Sequence, residues 1–487
     1  MHRDGSIQST FAGCQYFIPC AERRITPLSF RIRPALINYI QNQLVPRVTD
    51  AATNPRLPQR SLSERLANVG ILPMFGFPTR IRYLFHKRPG GTYEWPPKGV
   101  VDRELDIAIS QFAPCSETVK EGLIHTSIGV VDYEPQGNSV VQQPNPLGPP
   151  LVIGLCRRCQ AVDGSQNPAP ACPVCGAAPP DYDPLVRLSQ PRGFLTWFGA
   201  SRDFDGVFEW TARASRAKVG VTPIAMTPVA NFEIGSDQDT VYVINDNEGR
   251  QFDFEKLAQG ETWVTREALA KIDVNNPPIA PGGAVDRRAL ASVKRTDVLV
   301  LGILTWPVGV NAVPLRVEGR SALYSLGFLL RRAAAVRLDI HERELKVGLR
   351  VMQDPNGQVI GQIFISDSLE NGAGYSSYFG TPTEAESLLR FVVGQTKNTF
   401  YGPLVAAAHA GICQTSCPDC LRDFSNLAYH NILDWRPEVG AVSGPVFEAV
   451  GDEDLADDPA VRILHDPKTD FQFALVDVES DRCGSTQ

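Results

Sequence analysis

The sequence lacks any apolar stretch long enough to cross a membrane. The longest such run, 298–310, is interrupted by Gly302 and Pro307 and falls short of the ~20 residues that a bilayer requires. The first ten residues, MHRDGSIQST, contain no apolar segment of the kind found in secretory signals. These absences predict a cytoplasmic protein without membrane contact. Because the cytoplasm is reducing, we do not expect the 11 cysteines to form disulfides.

The sequence also lacks the common nucleotide-binding and hydrolase motifs. It contains no G-x-x-x-x-G-K-[ST], no G-x-G-x-x-G and no G-x-S-x-G. Phosphoryl transfer requires a phosphate cradle, a lysine on the transferred group and acidic residues that hold Mg²⁺. The sequence therefore predicts no ATP hydrolysis and no DNA unwinding by this chain alone, and it assigns no catalytic residue.

Composition is ordinary for a globular protein, but charge is unevenly distributed. The chain has 487 residues, of which 43% are hydrophobic and 21% charged, with a net charge of −7. Residues 1–100 contain 14 basic and 5 acidic side chains, whereas residues 447–487 contain 3 basic and 11 acidic ones. This asymmetry indicates a surface for a polyanion near the N-terminus. The alternative is two differently solvated faces.

Periodicity predicts both strands and helices. Ile81, Tyr83 and Phe85 alternate with polar residues as in a half-buried strand, 359–367 is an apolar strand, and 321–336 has a helical apolar stripe. The predicted fold class is α+β, with several modules, mixed sheets, flanking helices and inserted zinc knuckle or ribbon elements. The predicted modules are a helical docking segment (1–60), an α/β module with a basic front (61–150), a zinc ribbon (151–190), a β-rich insert (191–290), a zinc-binding domain (291–440) and an acidic tail (441–487).

The strongest motif is a pair of cysteine knuckles. Cys156-Arg-Arg-Cys159 is followed, after twelve residues, by Cys172-Pro-Val-Cys175-Gly. Two such knuckles can place four thiolates around one tetrahedral Zn²⁺. Four thiolates close the coordination shell, so the sequence predicts a structural zinc site. The alternatives are chance clustering and redox chemistry.

A second cysteine cluster lies near the C-terminus. Cys413, Cys417 and Cys420 supply three thiolates, which do not complete a closed site. His430 is the leading candidate for the fourth ligand, and Cys115 is its rival. The sequence therefore predicts one zinc ion, and a second if this cluster is completed. The alternative is three buried small residues beside a tight turn.

Two enzymatic interpretations remain open. Cys417 is a nucleophile if His409 or His430 activates it. Carboxylates near the ends of predicted elements suit Mg²⁺-dependent nuclease chemistry: Asp339, Glu342 and Asp367. The glycine-rich segment 366–377 could hold a phosphate through backbone N–H groups, although a closely packed turn also explains it.

The basic N-terminal region mixes cations with aromatic residues. Such a surface neutralises phosphates and stacks bases. The predicted phosphate contacts are Arg80, Arg82, Lys87 and Arg88. The interleaved aromatic residues are Phe75, Phe77, Tyr83 and Phe85. The alternative is a strand with core aromatics on one face and solvated arginines on the other.

Several segments, in the same order, resemble the C-terminal zinc-binding domain of MrfA-like superfamily two DNA helicases. The resemblance covers about residues 61 to 437, and the cysteine cluster with the glycine-rich turn is its most specific part. The segments that carry it are RLANVGILPMFGFPTR (65–80), ELDIAISQFAPCSETV (104–119), the first two knuckles with PRGF (191–194), KRTDVLVL (294–301), YSLGFLLRRAAAVRLDI (324–340), SDSLENGAGY (366–375) and CQTSCPDCLRDFSN (413–426).

The resemblance implies a module that follows two motor domains, binds zinc and helps to engage DNA in repair or phage defence. A free-standing member, DrmB of the DISARM phage-defence system, is similar and pairs with a separate helicase. Motor domains are absent here, so helicase activity is not implied. A fourth cysteine shortly after Cys420 is also absent, since the next one is Cys483, and His430 lies nearby instead.

Together these features predict a non-catalytic, zinc-binding accessory protein that engages DNA. Its motor would be a helicase-like ATPase in another chain. A zinc-stabilised scaffold that binds only protein is the first alternative. A metal-dependent nuclease centred on Asp367 is the second.

Overall fold

A computed structural model describes most of the chain. The described residues are 38–53, 62–69, 71–72, 80–90, 95, 97, 99–206, 216–274, 277–281, 283–306, 313–393, 404 and 406–436. The predicted acidic tail and the aromatic residues Phe75 and Phe77 lie outside them. Within them, no helix has the length and apolar character needed to span a bilayer.

The chain divides into two compact units, 1–66 and 67–487. In the first unit, a π-helical turn (Ile40–Leu44) leads into α1 (Val45–Thr53). The helix α2 (Leu62–Asn68) begins in the last residues of this unit and crosses its boundary. Arg65 donates a hydrogen bond to the Ala52 carbonyl at 2.7 Å. This contact joins the two helices.

The second unit begins with a small mixed sheet. β1 pairs in parallel with β10, and β10 and β16 each pair antiparallel with β4. β5 (Tyr133–Gln136) and β6 (Ser139–Gln142) form a separate two-stranded sheet beside it. The other elements of this region are β1 (Ile81–Phe85), β2 (Val101–Glu104), α3 (Leu105–Gln111), β3 (Glu117–Lys120), β4 (Leu123–Val130), β10 (Phe194–Thr196), β11 (Arg202–Asp203), β15 (Phe252–Lys256), β16 (Trp263–Thr265) and α4 (Arg266–Lys271).

A larger sheet closes on itself as a barrel. β14 pairs with β17, β17 with β19, β19 with β18, β18 with β12 in parallel, and β12 again with β14. Its strands and their extensions are β7 (Leu151–Cys156), β8 (Val162–Asp163), β9 (Tyr182–Ser189), β12 (Arg216–Val219), β13 (Thr227–Val229), β14 (Phe232–Asn245), β17 (Asp286–Ile303), β18 (Leu345–Gln353) and β19 (Val359–Asp367).

The barrel is filled by apolar side chains that alternate along its strands. Phe364 packs with Ala217, Val241 and Val300 in one buried cluster. A Cβ atom at Gly348 would lie 2.2 Å from the Phe364 ring, so this strand needs glycine where the ring crosses it. Small residues on β12 and β18 thus make room for one large aromatic residue.

Helices cover the barrel on one side. The long helix α5 (Val317–Leu338) packs against β18 and β19, and a Cβ atom at Gly327 would lie 2.6 Å from Val347. Further helices are α6 (Tyr375–Tyr378), α7 (Pro382–Val393) and α8 (Ala407–Ala410), with 3₁₀ turns at Glu342–Glu344 and Phe424–Tyr429. The predicted α+β class, with extensive mixed sheets, is confirmed. The predicted module boundaries stay predictions.

Candidate metal centres and nucleic-acid interface

The two N-terminal cysteine knuckles meet at one point. Cys156 ends β7, Cys159 lies in the following turn, and Cys172 and Cys175 form the second knuckle before β9. Their sulfur atoms all lie within 4.8 Å of one another. The Sγ atoms of Cys156 and Cys175, and those of Cys159 and Cys172, are each 3.6 Å apart.

These distances suit a tetrahedral zinc ion. Zinc–sulfur bonds of about 2.3 Å place neighbouring sulfurs about 3.8 Å apart in a tetrahedron. The backbone supports the arrangement, because Cys156 N–H donates to the Ala161 carbonyl and Cys172 N–H to the Ala177 carbonyl. Gly176, with a φ of 69°, supplies the left-handed turn after the second knuckle. This set can hold one zinc ion.

Electrostatics within the cysteine quartet favour a cation. Hydrogen bonding with Cys156, and then with Cys159, lowers the pKa of Cys172. Hydrogen bonding with Cys156 and Cys172, together with burial, raises the pKa of Cys159. Several thiols packed together cannot all ionise unless a positive charge is added. A zinc ion would supply that charge, because it deprotonates the thiols that coordinate it.

A buried lysine supports the first knuckle from the barrel. Lys218 on β12 donates a hydrogen bond to the Gln160 side chain at 2.8 Å, and Gln160 directly follows the ligand Cys159. Gln160 adopts a φ of 70°. Burial lowers the pKa of Lys218 to about 8. The barrel therefore holds the knuckle turn through a buried side chain.

The C-terminal cysteines are completed by His409. The ligand atoms of His409, Cys413, Cys417 and Cys420 all lie within 4.8 Å of one another. His409 Nε2 lies 3.4 Å from Cys417 Sγ, and the Sγ atoms of Cys413 and Cys420 are 3.9 Å apart. A tetrahedral zinc with nitrogen and sulfur ligands needs separations of about 3.5 to 3.8 Å. This set can also hold one zinc ion.

His409 is oriented as a metal ligand. Its Nδ1 lies 2.9 Å from the Leu404 carbonyl. A carbonyl oxygen only accepts, so Nδ1 carries the proton and Nε2 keeps its lone pair toward the sulfurs. Metal-bound histidines usually donate their other nitrogen in this manner. Although burial raises it, the hydrogen bond with His409 lowers the pKa of Cys417.

The prediction of His430 as the fourth ligand does not agree with this arrangement. His430 Nε2 lies 3.0 Å from the Asp423 carbonyl and 2.8 Å from Asn426 Oδ1. It therefore donates its proton to the 3₁₀ turn that follows the cysteines. His409 lies in a short helix four residues before Cys413, whereas the predicted ligand His430 follows Cys420 in the sequence. The spacing His-x3-Cys-x3-Cys-x2-Cys was the available signal. Cys115 is buried elsewhere, between α3 and β3.

Aromatic and basic side chains hold the second set against α5. Trp435 packs on His409 with ring centroids 5.4 Å apart, and its Nε1 donates to the Cys413 carbonyl at 2.9 Å. Arg332 of α5 donates to the Cys420 carbonyl at 2.8 Å. Cysteines of both sets belong to the same buried cluster as α5. Both candidate centres thus border one core.

The glycine-rich turn is occupied by a carboxylate of the chain itself. Asp367 is fully buried, and its Oδ2 accepts hydrogen bonds from the N–H groups of Ala373 and Tyr375 at 2.6 and 3.1 Å. Its Oδ1 accepts from Ser376 N and Oγ at 2.9 and 2.7 Å. Asp297 Oδ2 accepts from Gly374 N at 3.1 Å. Asp367 therefore stabilises the turn. Among the described residues, the cysteine quartet and the set of His409 with three cysteines are the only groups with metal-ligand geometry.

The structure separates the predicted basic front into two parts. Arg80 pairs with Glu370 and donates to the Gln190 side chain and the Val293 carbonyl, and Arg82 donates to the Pro191 carbonyl. Lys87 and Arg88, directly after β1, are exposed. The first two arginines thus support the fold, and only the last two offer free charge to a ligand.

The fold and sites define an α+β protein that can hold two zinc ions. No protein-family model matches its sequence. It is similar to the Druantia protein DruE of Escherichia coli (strain UMEA 4076-1), with 24% identity over 414 residues. The match covers 77% of this chain and 21% of DruE, so the chain spans about a fifth of the length of that relative. The crystal structure of the DUF1998 helicase MrfA bound to DNA is similar over 68% of this chain and 31% of that one, with 11% identity and a TM-score of 0.31.

Proposed function

We propose that this chain is a zinc-stabilised accessory module that engages DNA and works with a helicase motor located outside this sequence. It has no catalytic activity of its own, and it acts in phage defence or DNA repair. The sequence resemblance to the zinc-binding domain of MrfA-like helicases supports this proposal. The similarity to one part of DruE agrees with a module that belongs to a larger assembly.

The main observation in favour of a non-catalytic role is that both metal-ligand sets have four protein ligands. Catalytic zinc keeps one position open for water or substrate, whereas structural zinc is enclosed by four side chains. Cys156, Cys159 and Cys172 are buried, as are Cys413 and Cys420. Neither set leaves a ligand position for substrate, so zinc at these sites stabilises the fold.

Exposed cations support the DNA part of the proposal. Lys87 and Arg88 follow β1 without an ion pair in the described part of the chain. Phosphate contacts of this kind confer affinity but little sequence preference. Binding should therefore weaken strongly with salt and differ little between DNA sequences.

The test combines DNA binding with ATPase measurements on the zinc-loaded chain. We expect salt-sensitive DNA binding, no ATP turnover by the chain alone, and stimulated turnover when a helicase motor encoded beside it is added. A parallel preparation lacking residues 1–60 tests whether that segment docks the motor. ATP hydrolysis by this chain alone, abolished by a point substitution within it, would overturn the proposal.

A protein-binding scaffold is the second candidate. Ile412 lies between the ligands His409 and Cys413, and 82% of its surface is exposed. An apolar side chain at the tip of a rigid knuckle is a suitable anchor for a protein partner. Partner binding that Ile412→Asp abolishes, without any DNA binding by the parent, would favour this candidate.

A further inference from the structure

Two histidines and two lysines lie close together just beyond the C-terminal end of β1. His86 and Lys87 directly follow this strand, and Lys120 and His125 belong to the β3–β4 hairpin. The ring centroids of His86 and His125 are 5.1 Å apart. Thr118 pairs with His125, so Lys120, two residues further on, faces the same side of the hairpin. The sequence alone does not bring these segments together.

Neither imidazole is held by the fold. In the part of the chain that the structure describes, His86 Nδ1 is buried without a hydrogen-bond partner, and no hydrogen bond involves the side chain of His125. Lys120 Nζ lies 3.9 Å from the carboxylate of Glu121, whose charge raises the pKa of both histidines against the effect of burial. A structural role would normally give a half-buried histidine a partner.

Resting on the proposed engagement of DNA, we propose that His86, His125, Lys87 and Lys120 form a proton-linked site for a phosphodiester group of DNA. The lysines attract the phosphate, and the imidazoles donate hydrogen bonds to its oxygens once they are protonated. A metal ion fits this cluster poorly, because two ammonium groups would repel it and only two neutral ligands would hold it.

The unliganded cluster disfavours protonation. Burial, and then the charge of Lys120, lowers the pKa of both histidines; for His86, the neighbouring His125 and Lys87 lower it further, while Glu121 opposes the shift. A phosphate brings a negative charge that offsets the lysines and raises the pKa of each imidazole. Binding therefore takes up protons, and affinity should rise as the pH falls.

The test measures affinity for a labelled DNA oligonucleotide by fluorescence anisotropy, between about pH 6 and pH 8 at one ionic strength. Affinity of the parent should rise by up to about tenfold per pH unit for each proton taken up. The double variant His86→Gln, His125→Gln should lose this dependence while keeping most of the affinity at the higher pH. Glu121→Gln should bind more tightly throughout, because it removes the opposing carboxylate.

His341→Gln is the matched control, because His341 is exposed and its Nδ1 accepts only a local hydrogen bond, from Arg343 N. It should retain the full pH dependence of the parent. Zinc content measured at each pH excludes metal loss as the cause. A parent whose affinity does not change with pH, or a double variant that keeps the dependence, would overturn this inference while leaving DNA engagement intact. Absence of DNA binding at every pH would overturn both.

Discussion

His409 Nε2 faces Cys417 Sγ at 3.4 Å, while its Nδ1 is bound to the Leu404 carbonyl. We therefore predict that His409→Ala lowers zinc content by one ion per chain and reduces stability. His409→Cys should retain that zinc, because thiolate is an equally good ligand. Elemental analysis and thermal unfolding measure both effects. His430→Ala is the control: it should keep the zinc, and loss of metal from it alone would identify His430 as the ligand.

The second prediction concerns the N-terminal quartet. Zinc binding by a structural site contributes on the order of 10 kcal/mol to small domains at neutral pH. Cys156→Ser and Cys172→Ser should therefore give unstable or aggregated protein, and a chelator should unfold the parent. Well-folded protein that contains no zinc by elemental analysis would contradict the prediction.

Local patterns in the sequence predicted much of the fold. The alternation of Ile81, Tyr83 and Phe85 predicted a strand that the structure confirms, and 359–367 is a strand over the predicted length. The apolar stripe at 321–336 predicted the middle of α5, which extends from Val317 to Leu338. Each of these elements packs one face against neighbouring elements, so the spacing of its apolar residues follows the buried face.

Long-range features could not be predicted in the same manner. β17 begins at Asp286, before the apolar run that starts at residue 298, because its first half pairs with β9, β14 and β15 and is buried despite its charged residues. Arg80 resembles a surface cation in the sequence, but its partners Gln190 and Val293 are more than a hundred residues away. In the sequence Asp367 resembles a metal ligand, but in the structure its carboxylate accepts hydrogen bonds from the 373–376 turn. Such roles depend on contacts between distant segments.

The third prediction tests the role of Asp367. Its carboxylate is fully buried and accepts four hydrogen bonds from the 373–376 turn. Asp367→Ala leaves those donors buried and unpaired, which should cost at least about 3 kcal/mol of unfolding free energy. Urea denaturation measures this loss. Exposed Asp339→Asn is the control, with little change, because asparagine tolerates the left-handed backbone conformation of this residue. Unchanged stability of Asp367→Ala together with loss of a metal-dependent nuclease activity would instead favour the enzymatic alternative.

The fourth prediction uses a buried ion pair between α3 and β17. Lys294 Nζ lies 3.9 Å from Asp106, which also accepts a hydrogen bond from Ser292. Burial lowers the pKa of Lys294 to about 8. Although burial alone would raise it, the charge of Lys294 and neighbouring cations holds the pKa of Asp106 well below its usual range.

Both pKa values are lowered, so both groups make stability rise with pH, but in different pH windows. Above about pH 8 the folded state binds fewer protons than the unfolded state, whose lysine pKa is about 10.4, so stability should rise with pH in that window by on the order of 1 to 3 kcal/mol. Asp106 stabilises the fold above about pH 4 and loses this contribution as the pH falls. Lys294→Met should reduce the alkaline rise, leaving the share of Lys218, whose pKa burial also lowers to about 8. It should cost about 3 to 5 kcal/mol near neutral pH, because it leaves Asp106 buried without its main partner. Urea unfolding at neutral and alkaline pH checks both. The double variant Lys294→Met, Asp106→Asn should lose less unfolding free energy than the two single variants lose together, because the two side chains form one pair.

The last prediction separates the cations that bind DNA from those that hold the fold. Lys87 and Arg88 are exposed, whereas Arg80 and Arg82 donate hydrogen bonds within the second unit. Reversal of Lys87 and Arg88 to glutamate should weaken DNA binding and reduce the slope of log affinity against log salt by about one unit, or slightly less, for each lost phosphate contact. Unfolding free energy should stay within about 0.5 kcal/mol of the parent, as for most exposed substitutions.

Reversal of Arg80 and Arg82 to glutamate should instead lower the unfolding free energy and leave the salt dependence of DNA binding unchanged. Arg80→Glu would face Glu370 in a half-buried site and leave the Val293 carbonyl without its donor. DNA titrations over a salt series, with urea unfolding of the same preparations, measure both quantities. If the Lys87 and Arg88 reversal binds DNA as tightly as the parent at every salt concentration, this surface is merely solvated, and DNA contacts must be sought elsewhere on the chain.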